Sequence, residues 1–260
     1  MAGDRDNMQF LKQDDIDKIK SELALITSRY SNLTIKLWKL FSKLKTEKAK
    51  EYLIHGVMRR LGIMMRSIEN VFSIFPIERD MLLSMNELSD VDINLHAFLI
   101  NIFGLLDNLA WVVIHEQQLT DKIDKKNVGL YENKTQVCFT EKFRSYLNSD
   151  RMKKWRNEYL KNYRDALSHR IPPYVPPKTL NPEQKTQEEQ IENKIVECYK
   201  SLDLGAIDKL RKEQESIGDV CPYLCHALSE NKAVVLHAQL IADFKTIEEI
   251  IEKYCEMFLV

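Results

Sequence analysis

Leu95-His96-Ala97-Phe98-Leu99-Ile100-Asn101-Ile102-Phe103-Gly104-Leu105-Leu106-Asp107-Asn108-Leu109-Ala110-Trp111-Val112-Val113-Ile114 is the longest apolar run in the chain. Its length approaches that of a membrane span, which takes about 20 apolar residues. Asn101, Asp107 and Asn108 interrupt it, and such groups are costly inside hydrocarbon. The run therefore reads as a buried helix, apolar nearly all round as the centre of a helical bundle should be. Asp90 or Asp92 is expected to cap it, and its pattern carries to about Gln118. One narrow stripe differs: Asn101, Gly104, Asn108 and His115 share a face at helical spacing, with Asp107 beside them. Buried polar groups need partners or cost about 1–3 kcal/mol each.

On the N-terminal side, residues 14–45 repeat apolar positions at helical spacing from Ile16 to Leu40 and predict one long helix. Thr46 is placed to cap a second helix, whose apolar side runs from Tyr52 to Phe72 and which Pro76 ends. Ile77 to Met85 reads as a shorter piece. On the C-terminal side, Asp121 to Thr140 is polar and aperiodic and reads as an exposed loop. A helix follows from about Glu141 to Arg170, with a break expected near Asn148-Asp150. Residues 171–182 hold five of the seven prolines and predict a stiff, extended strap across the bundle. Glu183 to Gln214 is helical and charged, with Gly205 and Gly218 as expected breaks. Residues 223–228 and 233–236, joined by Ser229-Glu230-Asn231-Lys232, read as a small hairpin. A last helix is expected from about Gln239 to Met257. The fold class is mostly α, one domain over residues 1–260. Its core spans about 14–170, and the C-terminal extension, 183–260, packs on it.

The composition agrees. The chain has 260 residues, 44% hydrophobic and 30% charged, with only 7 Gly and 7 Pro, which suits long helices. The net charge of −1 makes the whole chain no polyanion magnet, so any basic site must be local. Five cysteines, an odd number, do not resemble a disulfide framework and point to a reducing cytoplasm. Met1 to Asp17 carries no apolar core behind basic residues, so no signal peptide is expected.

Arg164-Asp165-Ala166-Leu167-Ser168-His169 closes the fourth long helical stretch, just ahead of Pro172-Pro173. Arg offers a fixed cationic fork that matches phosphate oxygens, and His exchanges a proton near neutral pH. Five positions along a helix give about 140° of rotation and about 7.5 Å of rise, so the pair flanks a groove rather than stacking. RNA carries its own nucleophile, the 2′-hydroxyl. A protein that cleaves it needs a base, an acid and a cation on the phosphorane. His169 suits base or acid, and Arg164 suits the phosphate. Tyr163 and Ser168 are candidates for additional hydrogen bonds. Asp107 or Asn108 would orient Arg164 from the central helix; the alternative is that the polar stripe bonds neighbouring helix ends, with Gly104 permitting close approach. Arg164 also has a plain alternative partner in Asp165. Residues 141–170 carry nine basic and four acidic side chains, a local balance of +5. Such a run is either a solvated face or a polyanion site; in the second case Lys153, Lys154, Arg156, Lys161 and Arg170 are the RNA-binding candidates.

An Arg, then a polar residue, then a His after four intervening positions, at the end of the fourth helix of a bundle, resembles the HEPN superfamily. The runs Phe103-Gly104-Leu105-Leu106-Asp107-Asn108-Leu109-Ala110 and His169-Arg170-Ile171-Pro172-Pro173 look like those of bacterial HEPN proteins. The resemblance covers about residues 90–180. It implies an all-α bundle, a homodimer that brings two motifs together, and metal-independent RNA cleavage by Arg164 and His169. It also implies a toxin or abortive-infection setting, with an antitoxin or defence-system partner. The extension after Pro182 departs from a minimal HEPN unit. A non-catalytic HEPN module that binds RNA or a protein is the other reading.

Cys221, Cys225, His226 and His237 invite a metal reading. The C-x₃-C-H spacing is not a usual zinc pattern, and adjacent strand residues point to opposite faces. Buried cysteines are the preferred reading, and no metal or cofactor is expected. No phosphate-cradling Gly loop, nucleophile elbow or dinucleotide fingerprint is present.

Overall fold

The computed structural model describes residues 11–225 and 233–259. Helix α1 (Gln13–Lys43) buries Ile16, Ile19, Ile26, Leu33, Leu37 and Leu40, the spacing expected of one apolar stripe. Leu44 closes the helix at the chain bend that Thr46 begins. Thr46 caps α2 (Glu47–Glu51) through the Ala49 N–H at 3.3 Å. The Glu116 carboxylate, at the far end of the central helix, accepts from the Lys45 and Thr46 N–H groups at 2.9 and 3.1 Å. Helix α2 runs through a π-helical stretch, Tyr52–Met58, into α3 (Arg59–Ile74).

The central helix α4 (Met85–Glu116) is the long apolar run, buried on most of its surface by α3, the π-helical stretch and α8. Among the described residues it is the one helix long and apolar enough to cross a membrane, yet its apolar side chains belong to the main core. Its start corrects the sequence expectation. Neither Asp90 nor Asp92 caps it; Ser84 does, through a capping box with Glu87. The pattern Ser-x-x-Glu satisfies two orphan N–H groups at once, and the Arg79 fork locks Glu87 at 2.8 and 2.9 Å. Ile77 to Leu83 forms turns rather than a helix.

The segment read as an exposed loop, 121–140, is also corrected. It holds turns at Lys125–Asn127 and α5 (Asn133–Gln136) and sinks Leu130, Thr135, Gln136 and Phe139 into the protein. Thr135 ties it together, accepting from the Gly129 N–H and donating to the Asn127 carbonyl, both at 3.2 Å. The break expected near residue 148 is present: α6 (Glu141–Leu147) ends and Ser149 caps α7 (Asp150–Lys154). A second π-helical stretch, Trp155–Leu160, leads into α8 (Lys161–His169).

The strap is tied down by four of its N–H groups, those of Tyr174, Val175, Thr179 and Asn181. Tyr174 and Cys225 exchange a pair of 2.9 Å backbone bonds, as do Thr179 and Asp219. His96 donates to the Pro173 carbonyl at 2.6 Å, and Asp92 accepts from the Val175 N–H at 3.0 Å. Asp92 thus anchors the strap to α4. Helices α9 (Pro182–Ser201) and α10 (Leu204–Glu215) follow. The break between them falls at Leu202, in the left-handed region with φ 56°, rather than at Gly205. Asp203 supplies the cap for α10 through the Ala206 N–H, so Gly205 is free to sit inside the first turn. Gly218, with φ 114°, does mark a turn, and a Cβ there would meet the Thr179 carbonyl at 2.9 Å.

The extension divides in two. Helices α9 and α10 pack around a small cluster of their own, Ile191, Ile195, Ile207 and Ile217. The last helix, α11 (Leu236–Leu259), packs on α1 and joins the main core, with Tyr254 donating to the Leu109 carbonyl of α4 at 2.8 Å. Between them β1 (Tyr223–Leu224) and β2 (Val234–Val235) pair antiparallel, Tyr223 opposite Val235. This is shorter than the expected hairpin, whose turn at 229–232 and flanking 226–228 lie outside the described residues. The protein is mostly α.

Candidate functional site

Helix α8 lies against α4, and the second π-helical stretch sets its position. Trp155 and Tyr159, one turn apart in that stretch, both donate to Asp243 of α11, at 2.9 and 2.6 Å. Gln239 adds a third bond at 3.0 Å. Asp243 is 1% exposed, and burial pushes its carboxyl up to about 6 against the pull of those donors. Tyr163 continues the buried side. It is 5% exposed, packs on Tyr159 with ring centroids 4.5 Å apart, and is pushed up to about 12 chiefly by burial. Tyr163 therefore belongs to the interior face of α8 and not to the face that carries Arg164.

Arg164 faces outward with its side chain 48% exposed. Its guanidinium lies over the Phe103 ring of α4, 5.5 Å from the centroid, a cation–π contact. Two of its N–H groups reach Asp165, Nε at 3.1 Å and Nη2 at 2.9 Å. That hydrogen bonding holds the Asp165 carboxyl below its usual range. The plain alternative partner of Arg164 is thus realised, yet the arginine stays open to solvent. Asp107 bonds to no described side chain. Desolvation raises its carboxyl, and the nearby charges of Arg164 and Arg60 draw it partly back down. His169 ends α8, is exposed, and forms no hydrogen bond or ion pair with a described residue. Ser168 is exposed beside it.

The basic run sorts into tied and free cations. Lys142 pairs with Glu256, Arg144 with Glu141 and Arg151 with Glu249. Arg156 lies 4.6 Å over the Tyr131 ring, with Glu132 at 3.9 Å. Lys153, Lys154, Lys161 and Arg170 are exposed and form no ion pair within the described residues, though the charges of Lys161 and Arg170 reach Asp165. The local excess of charge is therefore carried by four side chains on α7 and the two ends of α8.

The polar stripe of α4 has an owner the sequence reading missed. Asn101 accepts from Arg60 Nη1 at 3.0 Å and donates to the Ala97 carbonyl. The Arg60 guanidinium covers Gly104, where a Cβ would fall 2.2 Å from Cζ. Asn108 turns away from Arg164, donates to the Gly104 carbonyl at 2.5 Å and packs on Gly56, whose Cβ would meet it at 2.6 Å. Gly104 does permit a close approach, of a side chain from α3 rather than of a helix end. The signal was Arg59-Arg60 standing inside an apolar helix.

Of the cysteine–histidine set, His237 is taken up by the core. His237 is fully buried between Phe72 and Phe75, donates Nε2–H to the Phe75 carbonyl at 2.6 Å, and is pushed down to about 4 by burial. Cys221 is buried, and the five cysteines are free thiols. No metal-binding cluster occurs among the described residues, while His226 lies outside them. Comparison with protein-family models, curated proteins and solved structures finds no match for this chain.

Proposed function

We propose that the protein is a metal-independent endoribonuclease of the HEPN type that works as a homodimer. The observation that carries this reading is the outer face of α8. Arg164 is held in place on Phe103 yet open to solvent, and an unbonded His169 stands at the helix end. Lys161 and Arg170 lie close enough for their charge to reach Asp165, and Lys153 and Lys154 on α7 add two cations without an ion pair among the described residues, a setting suited to a phosphate backbone. In the reaction the 2′-oxygen of RNA attacks phosphorus and the 5′-oxygen leaves. His169 of one copy takes the 2′-hydroxyl proton and His169 of the other protonates the leaving oxygen. Arg164 stabilises the charge on the phosphorane. The products are a 2′,3′-cyclic phosphate and a 5′-hydroxyl. The second copy is favoured by exposed Ile93 and Ile100, seven residues apart on α4, and by Ile171 after α8, 63%, 43% and 63% exposed respectively. A toxin or phage-defence setting, with an antitoxin or defence partner, is the biological context this chemistry fits.

One observation favours a second reading, a non-catalytic HEPN module: Arg164 already spends two N–H groups on Asp165. Purified protein with total RNA in EDTA separates the two. The nuclease cuts, leaves cyclic phosphate ends, and fails as His169→Ala. Cleavage that needs added magnesium or manganese, or that survives His169→Ala, sinks the assignment.

A further inference from the structure

Across α4 from Arg164 lies a groove of about 340 Å³ between the first π-helical stretch and the polar stripe. Its wall is cationic. Arg60 is half-buried and uses one N–H, to Asn101. A guanidinium has five donors, so four remain. Arg59 donates to His55 Nδ1 at 2.9 Å, which leaves the His55 proton on Nε2 as a further donor. Neither arginine forms an ion pair with a described carboxylate, and Glu51, the one acid of the groove, is bonded to Lys48 at 2.8 Å. Two glycines make the space: Gly104 lets the Arg60 guanidinium lie flat on α4, and Gly56 admits Asn108. The remaining donors of Arg60 are open to the groove rather than sealed from solvent, and a guanidinium fork matches a bidentate anion. π-helical insertions are rare, and frequent at functional sites. Arg164 lies over Phe103 and Arg60 over Gly104, adjacent residues of α4, and the charge of both reaches Asp107 one turn further on.

We propose that this groove binds a backbone phosphate of the RNA strand, so that the strand crosses α4 from Arg164 to Arg60 past Asp107. The proposal rests on the ribonuclease reading and adds to it a second phosphate site on a different helix. A free phosphate offers the same chemistry, and the test separates the two sources.

The probe is a fluorescein-labelled single-stranded RNA titrated against His169→Ala protein, which binds without cutting, over a range of salt. Three groove variants are made in that background. Arg59→Gln removes an exposed cation and leaves the core alone. Arg60→Gln removes the half-buried one. Gly104→Ala keeps every charge but displaces the Arg60 guanidinium. A second arm follows the melting temperature of each protein with sodium phosphate. Arg60→Gln and Gly104→Ala are expected to weaken RNA binding about tenfold, the scale of one charge-assisted hydrogen-bonded contact. The slope of log affinity against log salt should fall by about 0.7, one single-strand phosphate. Arg59→Gln should act in the same direction. Groove variants that match the parent in affinity and slope, while Lys153→Ala still weakens both, overturn the groove and leave the ribonuclease reading standing. Loss of phosphate stabilisation with unchanged RNA binding assigns the groove to a free anion and overturns the strand path. A parent that binds no RNA overturns both readings together.

Discussion

Asp243 shows how one side chain can fix the position of a site it never touches. Its carboxylate is buried, and Trp155, Tyr159 and Gln239 donate to it. Its folded value is raised to about 6, so its proton contribution to stability is complete below the unfolded value. That contribution is lost as pH rises from about 4 through 6. Asp243→Asn keeps a carbonyl for Trp155 and Gln239 and removes the charge. The variant's melting temperature is expected to change less than the parent's across that window, measured by thermal scans from pH 4 to 7; parallel curves would refute it. Glu87 has the opposite sign. The Arg79 fork holds it down to about 2, so its stability is present above about 4.5 and fades as pH falls toward 2. At the site, His169→Ala and Arg164→Ala open no core cavity. Each is expected to abolish cleavage with a stability change under about 1 kcal/mol. Arg164→Lys should fail as well, because a point charge cannot replace the fork. Single-turnover cleavage beside melting temperature checks all three.

At the scale of elements, the capping box is the clearest lever on α4. Glu87 serves the Ser84 N–H and the Arg79 guanidinium together, and Arg79 also bonds the Ile74 and Leu82 carbonyls. Loss of an N-cap costs about 1 kcal/mol, and this one also joins α3 to α4. Ser84→Ala is expected to lower stability by about that amount and Arg79→Ala by more, read from urea denaturation midpoints. Helix α7 supplies a matched pair of controls. Lys153 and Lys154 are unpaired, whereas Arg151 is spent on Glu249. Lys153→Ala or Lys154→Ala should weaken RNA binding mildly and flatten its salt dependence. Arg151→Ala should leave RNA binding nearly unchanged and lower the melting temperature instead.

For the whole molecule, the unpartnered face of α4 sets the prediction. Ile93 and Ile100, seven residues apart and so on one side of the central helix, are exposed, and so is Ile171 just after α8. A mass measurement in solution at micromolar concentration is expected to find a particle of two chains. Ile100→Asp, at an exposed position, should give a folded monomer that has lost cleavage, since one copy holds only one His169. A wild-type monomer, or a cleaving Ile100→Asp monomer, would refute the dimeric site.

Periodicity determined the long helices. Apolar spacing placed α1, α3, α4 and α11 because a helix must bury one face, and the proline run marked where helix had to stop. The break at Asn148 and the outward-facing end of α8 were legible for the same local reasons. Tertiary packing decided the rest. Ser84 and not an aspartate capped α4, with Arg79 reaching across to hold Glu87 of the capping box, and Asp92 was claimed instead by a strap 83 residues away in sequence. The apparent loop at 121–140 was polar in composition, but its few apolar side chains found a core to enter. Arg59-Arg60 stood out along the chain, but the groove did not, because its walls come from the first π-helical stretch, α3 and α4. It takes its shape from two glycines on different elements, Gly104 of α4 making room for the Arg60 guanidinium and Gly56 of the π-helical stretch making room for Asn108.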